Sequence, residues 1–345
     1  MKRRHFLCTA GIAGAALACP PLGLAQSSSK ALTPLKFTLD FRVTSQTSPF
    51  FLAAAKGYYA EEGLEVQIDV GSGSVASITR VASGAYDLGL GDISALIEFR
   101  ANNPGAAGVT GVYQYYNRAP FVIIGRRDRG ITEDFHSLKG KRVAAAAVES
   151  TRRAWPMVAR QLNVPQDWFE WVTTDFSARD NVVVRGDVDA ATYFHDSAVS
   201  LFARVPQEQL AVLEYVKTGT HLYGNAILAS DALLAERPEL VRAFLRASNR
   251  ALLETLADAS PALDATFQRE PLLQPDVERQ RWAISRGYIA APETASVGLG
   301  GVDPEVLHNQ VQAVAQTFAL ERVPSPDSIF NDAYLPELTA RKVPA

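Results

Sequence analysis

Cysteine is nearly absent from this chain of 345 residues. There are two, Cys8 and Cys19, and both fall in a stretch read below as a removable leader. The remainder therefore has no disulfide, no thiolate metal site and no cysteine nucleophile. Histidine is sparse and scattered: His5, His136, His195, His221 and His308 show no metal-ligand spacing, so no metal is expected. There is no H-E-x-x-H, no serine elbow and no dinucleotide glycine pattern. Those enzyme classes lose their motifs, and no cofactor is expected. A net charge of -3 provides no basic excess for nucleic acid or an anionic membrane. No apolar run is long enough to span a bilayer. What is present is a hydrophobic content of 47%, enough for a full core, on a chain long enough for two domains.

The first residues have the character of a targeting segment. Lys2, Arg3 and Arg4 precede Phe6 and Leu7, a twin-arginine-like pattern followed by a weakly apolar run. Gly23-Leu24-Ala25 offers small residues for cleavage before Gln26. Residues 1–25 are thus expected to be an export signal and 26–34 a polar linker, leaving a soluble periplasmic protein. The other reading is a lipid anchor on Cys19, preceded by Ala16-Leu17-Ala18. It lacks the usual leucine three residues upstream, and Pro20 follows the cysteine.

Beyond the linker, strands alternate with helices. Strands are expected at Leu35–Val43, Leu64–Val70, Tyr86–Leu90 and Val109–Tyr115, then Phe121–Ile124. The rhythm restarts with Val143–Val148, Phe169–Thr173, Val188–Tyr193, Leu210–Tyr215 and Asn225–Ala229. This spacing implies parallel, doubly wound α/β sheets. After Ser230 the pattern is mainly helical. The fold class expected is two doubly wound α/β lobes joined by two crossing segments, with a helical C-terminal tail. Lobe one is expected to comprise 35–118 plus 225–345, and lobe two 119–224.

Ligands in open α/β sheets bind at the carboxyl ends of strands, where helix N-termini offer free N–H groups. In lobe one that edge holds the T-S-Q-T-S-P-F-F loop with Thr44, Ser45, Gln46 and Phe50, where Ser48 is a candidate helix cap. The G-S-G-S turn with Ser72 and Ser74 is the next candidate; its plain alternative is a bare turn. Asp92 is either a ligand acceptor or a helix N-cap. Tyr113 and Tyr115 share one face of a strand, with Tyr116 on the other. In lobe two, Pro156 favours a helix start, which leaves Glu149, Ser150, Arg152, Arg153 and Trp155 in a loop facing the cleft. Either arginine suits a carboxylate or sulfonate, and Trp155 suits a ring; the alternative is two solvated arginines and a core tryptophan. Tyr193, His195 and Tyr223 complete the set, whereas Trp168 and Trp171 are assigned to packing.

The run A-A-A-K-G-Y-Y-A-E-E-G-L-E-V, then G-S-G-S, then V-A-S-G-A-Y-D-L-G-L-G-D, resembles the periplasmic substrate-binding proteins of ABC importers. The subgroup it resembles covers thiamine-pyrimidine, riboflavin, sulfonate, taurine and nitrate ligands. L-K-G-K-R-V-A, V-R-G-D-V-D-A and S-D-A-L-L-A-E-R-P-E-L-V-R-A-F-L match the same pattern, so the likeness covers roughly Leu35 to Arg250. It implies a type II periplasmic binding fold, two lobes closing on a small molecule, and a permease and ATPase at the inner membrane as partners. A monomeric, non-enzymatic binder is expected. The tyrosines and Asp92 favour a small heteroaromatic ligand, pyrimidine- or flavin-like. The alternatives are an organic anion such as a sulfonate or aromatic carboxylate, and an enzyme of pyrimidine-precursor chemistry. The chain departs from the pyrimidine-synthesising relatives by lacking their cysteine-rich motif. It departs from the thiamine-pyrimidine binders by lacking the Asp-Trp form of the first loop.

Overall fold

The computed structural model describes residues 31–106 and 108–343. The leader, with Cys8 and Cys19, lies outside the described residues. Among those described, the chain builds two five-stranded sheets. The first contains β1 (Thr33–Thr38), β2 (Leu64–Asp69), β3 (Leu88–Asp92), β4 (Val109–Gln114) and β10 (Asn225–Ser230), in the order β2-β1-β3-β10-β4. The second contains β5 (Phe121–Arg126), β6 (Arg142–Ala145), β7 (Glu170–Thr173), β8 (Ala190–Phe194) and β9 (Leu210–Glu214), in the order β7-β6-β8-β5-β9. The chain passes from the first sheet to the second between β4 and β5 and returns between β9 and β10. From Asp231 onward it is helical, with long helices at Pro238–Ala257, Pro275–Ile289 and Pro304–Thr317.

Each sheet is mixed, which corrects the expectation of purely parallel sheets. β1 runs parallel to β2 and β3, and β6 runs parallel to β7 and β8. β10 is antiparallel to β3 and β4, and β5 is antiparallel to β8 and β9. The two reversed strands are the first ones reached after each crossing. A strand that follows a helix on its own sheet returns to the starting edge and runs parallel. A strand that arrives from the other sheet enters at the edge where the crossings lie, and runs the opposite way.

All ten expected strands exist, but β1 is shorter than its apolar pattern. The ladder ends after Thr38, with a last bond from Leu39 N to Asp69 O at 2.8 Å. Asp40 and Phe41 then lie over the turn after β2, where Gly71 N donates to Phe41 O at 2.9 Å and Gly73 N to Asp40 O at 2.6 Å. A Cβ on residue 71 would sit 2.0 Å from the Leu39 carbonyl oxygen. Gly71→Ala should therefore displace the 39–41 segment and lower stability by about 1–3 kcal/mol or more. Chemical denaturation of the variant checks this.

The helix Ser48–Ala55 is buried along most of its length. Phe50 packs between Phe37, Tyr115 and Phe244. Ser48 is the first helical residue and not a cap, because its hydroxyl pairs at 2.6 Å with Thr266 of the C-terminal region. The first sheet thus shares one core with the C-terminal helices. That core fixes the loop before Ser48 against the helical tail.

Candidate functional site

Loops from both sheets meet at one cavity. From the first sheet come Asp40 and Phe41 after β1, Gln46 from the next loop, and Gly73 with Ser74 after β2. From the second sheet come Glu149 and Ser150 after β6, Phe176 and Arg179 after β7, and Phe194 at the end of β8 with Asp196 just beyond it. These are carboxyl ends of strands, the edge at which open α/β sheets hold ligands. Phe41 and Phe176 meet edge to face with ring centroids 5.3 Å apart.

The polar groups of this cavity are held by identifiable partners. Arg179 and Glu149, 6% and 4% exposed, form an ion pair at 2.6 Å. The other Glu149 oxygen accepts from Thr192 Oγ1 at 2.7 Å and Ala146 N at 3.3 Å. The Arg179 guanidinium lies 4.0 Å over the Tyr193 ring. Asp196 is fully buried, and its Oδ2 accepts from the Tyr116 hydroxyl at 2.5 Å and from Ser285 Oγ at 2.9 Å. Asp40 is half-buried and accepts from Asn225 Nδ2 at 2.6 Å. Burial pushes the Asp40 carboxyl up to about 6; the Asn225 bond opposes this, and the nearby Asp196 charge adds to it. Two buried atoms on cavity residues have no protein partner: Arg179 Nε, a donor, and Asp196 Oδ1, an acceptor.

The expected site residues divide sharply. Gln46, Ser74, Glu149 and Ser150 line the cavity. Thr44 hydrogen-bonds Gln46 beside it. Tyr115 is buried and donates to the Gln46 carbonyl, so it supports the loop from below. Ser45 bonds Glu278 of the helix Pro275–Ile289 through both its N–H and its hydroxyl. Ser72 is exposed. Phe50 and Tyr113 belong to the core, where the Tyr113 hydroxyl donates to Asn249 at 2.9 Å. The Tyr193 hydroxyl donates to Asp180 at 2.9 Å. His195 lines a different cavity, with its Nδ1 2.8 Å from the Tyr288 hydroxyl. Tyr223 lines a separate cavity behind the crossing segments, with Asn117, Ala119 and Leu222.

The structure corrects the reading of the helix after β6 and gives Asp92 the capping role of its two expected ones. The helix runs Ser150–Gln161 with Pro156 inside it; its first turn closes upstream of the proline, where Arg153 N bonds Glu149 O at 3.0 Å. Trp155 is therefore helical and buried, packed on Phe135, Phe169 and Tyr215, and has no face for a ligand. Arg152 lies over Trp171 and donates to Thr173 at 3.0 Å. Arg153 forms an ion pair with Glu98 of the first lobe, so neither arginine lines the cavity. Asp92 is an N-cap, accepting from Ala95 N at 3.0 Å, and its Oδ2 has no partner.

Burial also pushes the Asp92 carboxyl up, to about 7, with the neighbouring Glu98 and Asp40 charges adding to it against the Ala95 bond. The folded state thus keeps a proton that the unfolded chain releases near its ordinary value of 3.8. Stability from this group is full at low pH and is lost as pH rises from about 4 to 7, by up to about 4 kcal/mol. Asp92→Asn keeps the cap and should flatten that slope. The remaining slope should fade as pH rises through about 6, where the folded state gives up the Asp40 proton. Thermal unfolding of both proteins between pH 4 and 8 checks this.

A profile for NMT1/THI5-like proteins matches residues 44–262. The chain belongs to the NMT1/THI5-like family. The matched span includes every cavity residue except Asp40 and Phe41. This family member is 26% identical over 267 residues to a 4-amino-5-hydroxymethyl-2-methylpyrimidine phosphate synthase of Aspergillus parasiticus, covering 74% of this chain and 76% of that protein. It is 26% identical over 313 residues to the riboflavin-binding protein RibY of Chloroflexus aurantiacus, covering 87% and 85%. Among solved structures it is similar to the periplasmic aliphatic sulphonate binding protein SsuA of Escherichia coli, with a TM-score of 0.67, 15% identity and coverage of 88% and 99%. A Candida albicans protein described as having the generic periplasmic binding protein fold matches with a TM-score of 0.64, 15% identity and coverage of 89% and 98%. The NMT1/THI5-like chain therefore has the periplasmic binding protein fold. Among its described residues, no helix is long and apolar enough to cross a membrane.

Sequence reasoning missed Asp40, Phe41, Phe176 and Arg179 as cavity residues; it marked the Tyr193–Asp196 loop, but favoured Tyr193 and His195 there over Phe194 and Asp196. The signal that finds most of them is the strand-end rule applied without exception. The loop after β7 carries Phe176 and Arg179, and the residues just past Thr38 include Asp40 and Phe41.

Proposed function

We propose that this protein is the extracytoplasmic solute-binding component of an ABC importer. In this reading it captures a small heteroaromatic molecule bearing N–H donors by closing its two lobes. The observation that carries the reading is a pair of unpartnered buried atoms, Asp196 Oδ1 and Arg179 Nε, on two residues that line one cavity between the sheets. A buried polar atom without a partner is costly, and a ligand offering one donor and one acceptor removes both costs. Phe41, Phe176 and Phe194 supply apolar walls for a flat ring. We take 119–224 as one moving body and 35–118 with 225–345 as the other. Ligand contacts made by both bodies favour the closed arrangement, which a membrane permease with its ATPase would read from the periplasm. The relatives' names support transport: one is a riboflavin-binding protein, another a periplasmic sulphonate-binding protein.

An organic anion fits the cavity less well. Its walls carry the acids Asp40, Glu149 and Asp196 against one guanidinium, Arg179, which is already paired. The second reading, an enzyme of pyrimidine chemistry, is favoured by relatives named as pyrimidine phosphate synthases.

A thermal-shift panel separates these readings. It contains 4-amino-5-hydroxymethyl-2-methylpyrimidine, riboflavin, an alkanesulfonate, benzoate and nitrate. The rings with N–H donors should raise the unfolding midpoint, by about 2.7 kcal/mol of stabilisation at 100 times Kd, and should be recovered unchanged. A shift with the anions alone overturns the ligand class. Conversion of a ring compound on incubation favours the enzyme.

A further inference from the structure

The helix Pro275–Ile289 buries a stripe of polar side chains. Glu278, Arg281, Ser285 and Tyr288 recur at intervals of three, four and three residues, so they share one face. All four are buried. Aliphatic side chains are the ordinary content of such a face. Here each polar group instead has a distant partner. Glu278 Oε2 accepts from Ser45 N at 2.7 Å, and the Glu278 carbonyl accepts from Ser45 Oγ at 2.8 Å, which holds the first lobe's loop. Arg281 Nε donates to Glu278 Oε2 at 3.1 Å, and its Nη1 donates to the Asp196 carbonyl at 2.7 Å. Ser285 donates to Asp196 Oδ2. The Tyr288 hydroxyl reaches Glu214 at 3.2 Å and His195 at 2.8 Å, both in the second lobe.

We propose that Arg281 is a positioning residue for ligand capture. Paired with Glu278, it ties the Ser45–Thr47 turn of one lobe to Asp196 of the other and makes this helix a reversible strap across the cleft. The inference rests on the reading that the free Asp196 oxygen faces the ligand. With its carbonyl held by Arg281 and its Oδ2 held by Tyr116 and Ser285, Asp196 has one oxygen left to offer. A polar stripe suits a contact that must open, because water replaces its partners when the lobes part. An apolar stripe of the same area would resist exposure. A buried ion pair sets geometry more than it adds stability, which fits a residue whose task is to hold another in place.

Hydrogen exchange on the ligand-free full chain tests this, with binding of the pyrimidine and of riboflavin as a second readout. In Arg281→Met, amides at 45–47 and 195–198 should exchange at least tenfold faster, together, with the rest of the chain within about twofold of the native protein. Affinity for whichever probe binds should fall at least tenfold, and Arg281→Lys should restore part of both. Should Arg281→Met fail to fold, Ser285→Ala serves: it should speed exchange at 195–198 and leave 45–47 unchanged. Unchanged protection, a response in only one of the two segments of Arg281→Met, or a uniform rise across the chain overturns the strap. Coupled exchange in a protein that binds neither probe supports the strap and counts only against the ligand class.

Discussion

Replacing Arg179 with methionine should lower the unfolding free energy by about 3–5 kcal/mol and weaken ligand binding tenfold or more. The stability loss comes from Glu149. It is 4% exposed and would keep the Thr192 and Ala146 bonds on one oxygen while losing the guanidinium on the other. Removing one partner of a buried pair leaves an uncompensated charge, whereas removing both is far less costly. The double variant Arg179→Met with Glu149→Gln should therefore recover most of the stability. It should not recover binding, because the Arg179 Nε donor is still missing. Urea denaturation of both variants, with titration of whichever ring compound binds, separates the structural share from the binding share. Equal stability of the single and double variants would mean that the pair is not coupled as the geometry requires.

Trp155→Ala should cost about 3–5 kcal/mol with little effect on affinity. The ring is 1% exposed, lies 4.6 Å from Phe169 between ring centroids, and donates through Nε1 to the Gln166 carbonyl at 2.9 Å. Its removal opens a cavity in the second lobe's core, away from the cleft residues. Measured well below its own unfolding midpoint, the variant should bind within about threefold of the native affinity. Native stability with binding lost would instead make Trp155 a ligand platform, as its place in the sequence suggests.

These two residues show where sequence reading succeeded and where it could not. The strands were legible because apolar alternation repeats at each of them, and the two crossings were legible as interruptions between two like halves. The end of β1 was not. Leu39, Phe41 and Val43 continue the alternation, so the pattern reads on through Asp40, although the 71–73 turn has already captured that backbone. Pro156 pointed to a helix start, but it interrupts a helix already under way. Arg179 looks solvated in sequence, since its partner Glu149 lies thirty residues away. Asp196 is held by Tyr116, Arg281 and Ser285, residues that only the crossing segment and the helical tail bring to it. Strand-end loops were identifiable from order alone. Which side chains in those loops keep an unpaired atom depends on contacts across the whole chain.

The most direct test of the account is a crystal structure of the protein with the tightest-binding compound of the panel. The account predicts a ring packed against Phe41, Phe176 and Phe194, an N–H donated to Asp196 Oδ1 and an acceptor within hydrogen-bond distance of Arg179 Nε. A ligand in the cavity behind the crossing segments, or one in the cleft that leaves both atoms unpaired, would contradict it.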